Sequence, residues 1–376
     1  MQIIILNFRK MNSTKTRLAP FRADHVGSFL RPQRLKDARK KFNEGKISQE
    51  ELTRTEDEEI LKLIAEEKTA GLKSITDGEF RRAWWHFDFM QNLLGAELTE
   101  GEPYAFHDVT TRSHIVKINA PIRYNPQHPF FRHFTFLKEH TGEGFTAKQT
   151  IPSPNMFFNP KIRNTPVYPN LKDLAKDLSE AYRQTIRHFY NLGCRYLQLD
   201  DVFWANLVDK KQRENISNEG TDPDRLADLC TEVINNALAD KPEDMLITMH
   251  VCRGNFHSSW IYSGGYDVIA DALFAVNVDA FFLEYDDERS GSFAPLAISH
   301  EQNIVLGLIT SKTGTLEDPE NIRRRIREAS EFVPLDHLFL SPQCGFSSTE
   351  EGNVLAEKEQ WKKVKMMTQL AGEIWK

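Results

Sequence analysis

The stretch LKDLAKDLSEAYRQTIRHFYNLGCRYLQLDD, residues 171–201, decides the fold. From Leu171 to Asn191 polar and apolar side chains alternate at helical spacing, and Gly193 stands where such a helix stops. Arg195 to Leu199 is a short run of strand character, and it ends on two carboxylates, Asp200 and Asp201. Helix, glycine, strand and polar strand end make one unit of an α/β architecture. The order recurs in both directions along the chain. Phe21 to Val26, Leu72 to Thr76, Phe145 to Ile151, Met245 to Val251, Ala280 to Leu283, Ile304 to Ile309 and His337 to Leu340 also read as strands. Ser48 to Ala70, Pro223 to Ala239 and Pro319 to Phe332 read as helices, the first opened by a Ser48/Glu51 capping box.

Eight such units in 376 residues predict one α/β domain over residues 21–376, a single (β/α)8 TIM barrel. An open doubly wound sheet is the rival, and it lacks a G-x-G-x-x-G after an early strand. Leu98 to Arg132, with His107, His114 and His128 among prolines, breaks the pattern. It is expected to form an extra hairpin or lid after the second strand. Residues 1–20 are expected to be a disordered or frayed leader, since their apolar stretch is short and no small-residue cleavage site follows.

Composition is globular, with 40% hydrophobic and 27% charged residues. A net charge of −6 without a basic tract argues against nucleic acid and membrane surfaces as partners. No apolar run approaches the roughly 18 residues of a spanning helix. Four cysteines are too few for a disulfide framework, which places the chain in the cytoplasm. Cys194 and Cys230 read as packed core residues.

Polar residues gather at the C-terminal ends of the strand-like runs: DHVGS, TDGEF, QTIPSPN, QLDD, MHVC, LEYDD, LITSK and SPQC. In a barrel those ends share one mouth. His250 and Cys252 flank Val251, so both face one side of their strand. With Glu284 and Cys344 from two other strand ends they make a four-donor set suited to one tetrahedral zinc ion. A thiol on such a metal is deprotonated near neutral pH and becomes the nucleophile. Glu79 and Asp200 are carboxylates able to hold an ammonium, and Gly27 and Ser28 sit in a loop able to hold a carboxylate. The plainer readings are a helix cap for Asp200-Asp201 and an ion pair between Glu79 and Arg81 or Arg82. His25 is either a proton relay or a core histidine. Trp84, Trp85, His86 and Phe87 are either a substrate cover or ordinary loop packing.

Together the strings HVGS, TDGEF, QLDD, MHVC, LEYDDERSG and SPQCG resemble the catalytic barrel of cobalamin-independent methionine synthases, over about residues 20 to 376. The resemblance implies transfer of a methyl group to zinc-bound homocysteine, giving methionine. It assigns His250, Cys252, Glu284 and Cys344 to zinc, Glu79 and Asp200 to the amine, and Gly27 and Ser28 to the carboxylate. The donor it implies is 5-methyltetrahydrofolate, with a methylcorrinoid protein as an alternative. On the donor side this chain departs from the long members of the family. It has one barrel where they have two. Phe157 or Phe158 replaces their pterin-stacking Trp, and Lys312 stands nearest to their proton-transfer His. Phe158 is expected to help seat the donor, and Lys312 to act as a catalytic acid or bind an anionic group. The competing readings are zinc-dependent alkylation of another thiol, such as coenzyme M, and a zinc-binding barrel without turnover.

Overall fold

The computed structural model describes residues 19–299 and 301–376, so the expected leader lies outside it except for Ala19 and Pro20. Among the described residues nine strands are formed: β1 Ser74–Ile75, β2 Leu94–Glu100, β3 His114–Arg123, β4 Thr146–Pro152, β5 Tyr196–Asp201, β6 Leu246–Val251, β7 Ala280–Glu284, β8 Asn303–Ile309 and β9 Leu338–Pro342. Seven of them make one parallel sheet in the order β1-β4-β5-β6-β7-β8-β9. Parallel neighbours need crossovers. Helix Leu171–Asn191 joins β4 to β5, Pro223–Ala237 joins β5 to β6, and Pro319–Ala329 joins β8 to β9. Every residue of β5, β6, β7, β8 and β9 is buried, as expected of a parallel sheet covered on both faces.

The sequence reading expects eight strands, and the sheet has seven. The segment 21–26 makes a single parallel bridge, Ala23 to Leu340. Asp24 N donates to Leu340 O and Leu340 N to Arg22 O, both at 3.0 Å. Toward the other edge of the sheet, His25 Nε2 lies 3.1 Å from Ser74 O. The segment therefore touches both edge strands, and the sheet curls as in a TIM-like barrel. Side chains replace the ladder here. Thr76 N donates to Glu67 Oε1 at 3.1 Å, and Tyr196 Oη and Ser74 Oγ each donate to Asp24 at 2.7 Å. Backbone and carboxylate groups are thus satisfied without regular strand pairing.

Inside the curl, Val26, Ala280, Phe282, Val305 and Phe339 form a small apolar cluster separate from the large sheet-to-helix core. Lys148 is fully buried beside it, with its ammonium 3.2 Å from Asp24. β2 and β3 pair antiparallel outside the main sheet. The stretch after them is not part of that pair, because His128 caps helix Pro129–Thr141 by accepting from Phe130 N. No helix of the described residues is long and apolar enough to cross a membrane.

Candidate active site

A cavity opens at the C-terminal ends of the parallel strands. Ser28, Glu79, Asp200, His250, Cys252 and Cys344 all line it. β5 and β6 are in register with Asp200 opposite His250, which places one carboxylate beside the imidazole. Glu284 ends β7 opposite Gly307 of β8. A Cβ on Gly307 would sit 2.7 Å from Gln343 Cα and 2.9 Å from Leu283 O. Only glycine allows that approach, and it seats the turn that carries Cys344.

Ligand atoms of His250, Cys252, Glu284 and Cys344 lie within 4.8 Å of one another, and all four residues are buried. Cys252 Sγ and Cys344 Sγ are 3.6 Å apart, and both are free thiols. Ligands on a tetrahedral zinc stand about 3.3–3.8 Å apart at bond lengths of roughly 2.0–2.3 Å. Neither ring nitrogen of His250 has a hydrogen-bond partner among the described residues. Buried polar atoms without partners are rare and call for an explanation. The donor set therefore fits a zinc ion.

Electrostatics agree. Burial, then the charge of Cys344, pushes Glu284 up to about 7. Burial opposes the charged form of His250, but Cys344, Asp200 and Glu284 outweigh it and hold the imidazole up to about 9. The hydrogen bond between the two sulfurs holds the Cys344 thiol well below its ordinary range and Cys252 well above it. These groups crowd negative charge, and a dication would neutralise it. Arg253 N donates to Glu284 Oε1 at 2.8 Å and Gly254 N to Cys252 Sγ at 3.3 Å, which orients two of the four donors.

Glu79 adopts a left-handed backbone at φ 61°. Arg31 donates to its carbonyl at 2.7 Å, and Thr150 Oγ1 donates to Glu79 Oε1 at 3.0 Å. Arg82 Nη1 is 3.2 Å from the same oxygen, while Arg81 pairs with Glu56 and Asp57. Glu79 Oε2 has no hydrogen-bond partner among the described residues. Burial pushes Glu79 above the usual carboxylate range against the pull of Arg82, and pushes Asp200 up to about 7 against His250. Gln198 Nε2 donates to Asp200 Oδ1 and to Val26 O, each at 2.6 Å, and so ties Asp200 to the loop of Gly27 and Ser28. Asp201 has a different task. Its Oδ1 accepts from Phe203 N and Trp204 N, the first two N–H groups of helix Phe203–Val208, from one position before the Val202 N-cap.

Ser28 packs against the Cys344 turn, where Phe346 N donates to Ser28 O at 3.0 Å. A Cβ on Gly345 would meet Ser28 Oγ at 2.0 Å. Gly27 sits behind the lining, at φ 134°, with its Cβ position 2.6 Å from Thr150 Cγ2. Phe158 closes a 3₁₀ turn, Pro154–Phe158, is fully buried near Phe203 and does not line the cavity. Lys312 forms an ion pair with Asp286 and is likewise absent from the lining. Trp84, Trp85 and His86 do line it. The sequence reading passed over Asn255, whose Nδ2 donates to Gly345 O at 2.9 Å and joins the two cysteine-bearing loops. An amide three residues after Cys252 was the available signal. It also passed over Tyr104 and Phe106, for which sequence offered none.

A curled α/β sheet that brings a four-donor cluster able to hold a metal ion and two carboxylates to one mouth marks a TIM-like barrel with a candidate metal site. Residues 21–373 match the family described as cobalamin-independent synthase, catalytic domain, and the chain belongs to that family. It is 46% identical to the uncharacterized protein YxjH of Bacillus subtilis (strain 168) over 374 residues, 98% of this chain and 99% of that one. It is 44% identical to a solved structure described as the putative vitamin-B12 independent methionine synthase from Listeria monocytogenes. That match has a TM-score of 0.77 and covers 96% of this chain and 99% of the other. A B12-independent methionine synthase from Shewanella sp. W3-18-1, solved in complex with selenomethionine, shares the fold at 17% identity, TM-score 0.71, over 95% and 98% of the two chains.

Proposed function

We propose that residues 21–376 form one zinc-dependent methyltransferase domain that moves a methyl group onto the thiol of homocysteine, giving methionine. The observation that carries this reading is the meeting of His250, Cys252, Cys344, Glu79 and Asp200 in one cavity, with Glu284 completing the metal cluster. Zinc, when bound, supplies the Lewis acidity that keeps a thiol deprotonated near neutral pH. Glu79 and Asp200 hold the substrate ammonium by charge-assisted hydrogen bonds, and the unpartnered Glu79 Oε2 is free to accept one. Gln198 and Thr150 orient those carboxylates. Ser28, beside the Cys344 turn, stands where the substrate carboxylate would reach the loop after residue 26. The amine and carboxylate contacts fix the direction in which the substrate sulfur points.

Coenzyme M as the acceptor is disfavoured by the same residues. A sulfonate needs a cation, and no Lys or Arg lines the cavity among the described residues. A barrel that only stores zinc would have no use for the paired carboxylates. Four free cysteines fit a cytoplasmic protein.

The test is to load the protein with zinc, add homocysteine and 5-methyltetrahydrofolate as mono- and triglutamate, and measure methionine. A methylcorrinoid protein is the second donor to supply. Co²⁺-substituted protein provides an independent readout, because thiol ligation changes its visible spectrum. If homocysteine leaves that spectrum unchanged, the acceptor assignment is wrong.

A further inference from the structure

The loop that carries Ser28 is held from behind by side chains. It offers three successive carbonyls, and each meets a donor from a different element. Lys148 of β4 donates to His25 O, Gln198 of β5 donates to Val26 O at 2.6 Å, and Thr76, just after β1, donates to Gly27 O at 2.7 Å. All three side chains are buried and none lines the cavity, whereas Ser28 does. In a regular strand a neighbouring backbone would take such carbonyls. Here the segment makes only the Ala23 to Leu340 bridge, and side chains take over.

Thr76 and Lys148 are placed for this task. Glu67 Oε1 also lies 3.2 Å from the Thr76 hydroxyl, but burial pushes Glu67 well above the usual carboxylate range, and a neutral carboxyl competes weakly for the proton. The Lys148 ammonium is 3.2 Å from Asp24, so the buried pair carries no net charge and acts on the loop through its hydrogen bond to His25 O. The chain then bends at Gly27, where Thr150 Cγ2 fills the place of a Cβ. Beyond the bend, Ser28 Oγ accepts from Ser347 N at 3.3 Å, which leaves its proton to be donated. Ser28 N has no acceptor among the described residues. An N–H and an O–H on one residue suit a carboxylate.

We propose that Thr76 and Lys148 are positioning residues for the carboxylate of the acceptor thiol. By holding the carbonyls of Gly27 and His25 behind the lining, they keep backbone acceptors out of the cavity and leave the Ser28 N–H and hydroxyl to the substrate. A carbonyl that lost its donor would be free to turn, and its oxygen would repel a carboxylate beside Ser28. This rests on the reading of the site as one for homocysteine. Gln198 also donates to Asp200, so it serves both ends of that substrate.

The test titrates three thiols into Co²⁺-substituted protein and reads each Kd from the visible spectrum. Homocysteine carries both end groups, 4-mercaptobutyrate only the carboxylate and 3-aminopropanethiol only the amine. Thr76→Val keeps the branched shape of the buried side chain and removes its donor. It should weaken homocysteine and 4-mercaptobutyrate by about tenfold, the worth of one hydrogen bond, and leave 3-aminopropanethiol unchanged. Thr76→Ser returns the hydroxyl and should restore wild-type binding. Lys148→Met should give the same split, because Asp24 keeps His25 N, Ser74 Oγ and Tyr196 Oη as donors. A split in one variant alone would keep that residue and remove the other. Equal weakening of all three thiols would reduce both residues to a structural role, and no weakening would remove them from the site. Wild-type protein that binds 3-aminopropanethiol as tightly as homocysteine would mean that no carboxylate is read here, which overturns the inference and leaves thiol binding standing. A spectrum that none of the three thiols changes overturns the acceptor reading itself, and this inference with it.

Discussion

The cavity has two kinds of wall, and they are built differently. The four-donor cluster and the two carboxylates come from strand ends and the turns directly after them, fixed by register pairs such as Asp200 with His250. The aromatic lining residues Trp84, Trp85, Tyr104, Phe106, Phe256 and Tyr262 come from loops outside the parallel sheet, held by isolated bridges such as Trp84 to Thr349, by backbone bonds such as Trp85 N to Ser348 O and His107 N to Trp260 O, and by ring contacts. A sheet positions side chains through many cooperative bonds, whereas loops open locally at low cost. On the proposed function, thiol chemistry would sit on the sheet ends and donor recognition on these loops.

That contrast can be broken by substitution. The largest effect is expected for Cys344→Ser, which should lose zinc and more than about a hundredfold of activity together, as metal analysis and turnover would report. Retained zinc with normal turnover would remove Cys344 from the metal cluster. Asp200→Asn should keep zinc and raise homocysteine KM or lower kcat by about tenfold to a hundredfold, the worth of one hydrogen bond to a charged group. Wild-type kinetics would end the amine assignment. Thr150→Val removes the donor to Glu79 Oε1 and should raise homocysteine KM about fivefold, roughly 1 kcal/mol. A change in donor KM instead would blur the line between the two walls. Phe158→Ala should leave both KM values unchanged while costing about 3–5 kcal/mol of stability in denaturant titration, because its ring fills the core. A raised donor KM at unchanged stability would restore Phe158 to the donor site.

Legibility in the sequence follows the same division. Helix Leu171–Asn191 has the bounds read from its period, because an amphipathic helix and its glycine stop are local signals. His250, Cys252, Glu284 and Cys344 were readable because each ends or follows an apolar run, and barrel geometry brings such ends together. The segment 21–26 was not readable as it stands, since it keeps a single bridge to Leu340 and is otherwise held through Asp24 by the side chains of Ser74 and Tyr196, which are distant in sequence. Phe158 misled for a similar reason. The 3₁₀ turn after Ser153 turns its ring into the core, a rotation no period reveals. Lys312 is held by Asp286, a partner 26 positions away. Tyr104 and Phe106 sit in a stretch without periodicity, and only their contacts give them meaning.

Glu79 carries a consequence for how this protein tolerates change. A non-glycine residue at φ 61° costs of order 1–3 kcal/mol, and here Arg31 clamps the carbonyl that enforces it. Asn, whose amide oxygen keeps an acceptor at this position, would relax the backbone and should survive heating better than Gly, while lacking the charged carboxylate that faces the cavity. A library selected only for thermal survival should therefore drift away from glutamate at this position, and one selected for growth that depends on the proposed activity should hold it. Position 79 would then record which pressure a lineage has been under.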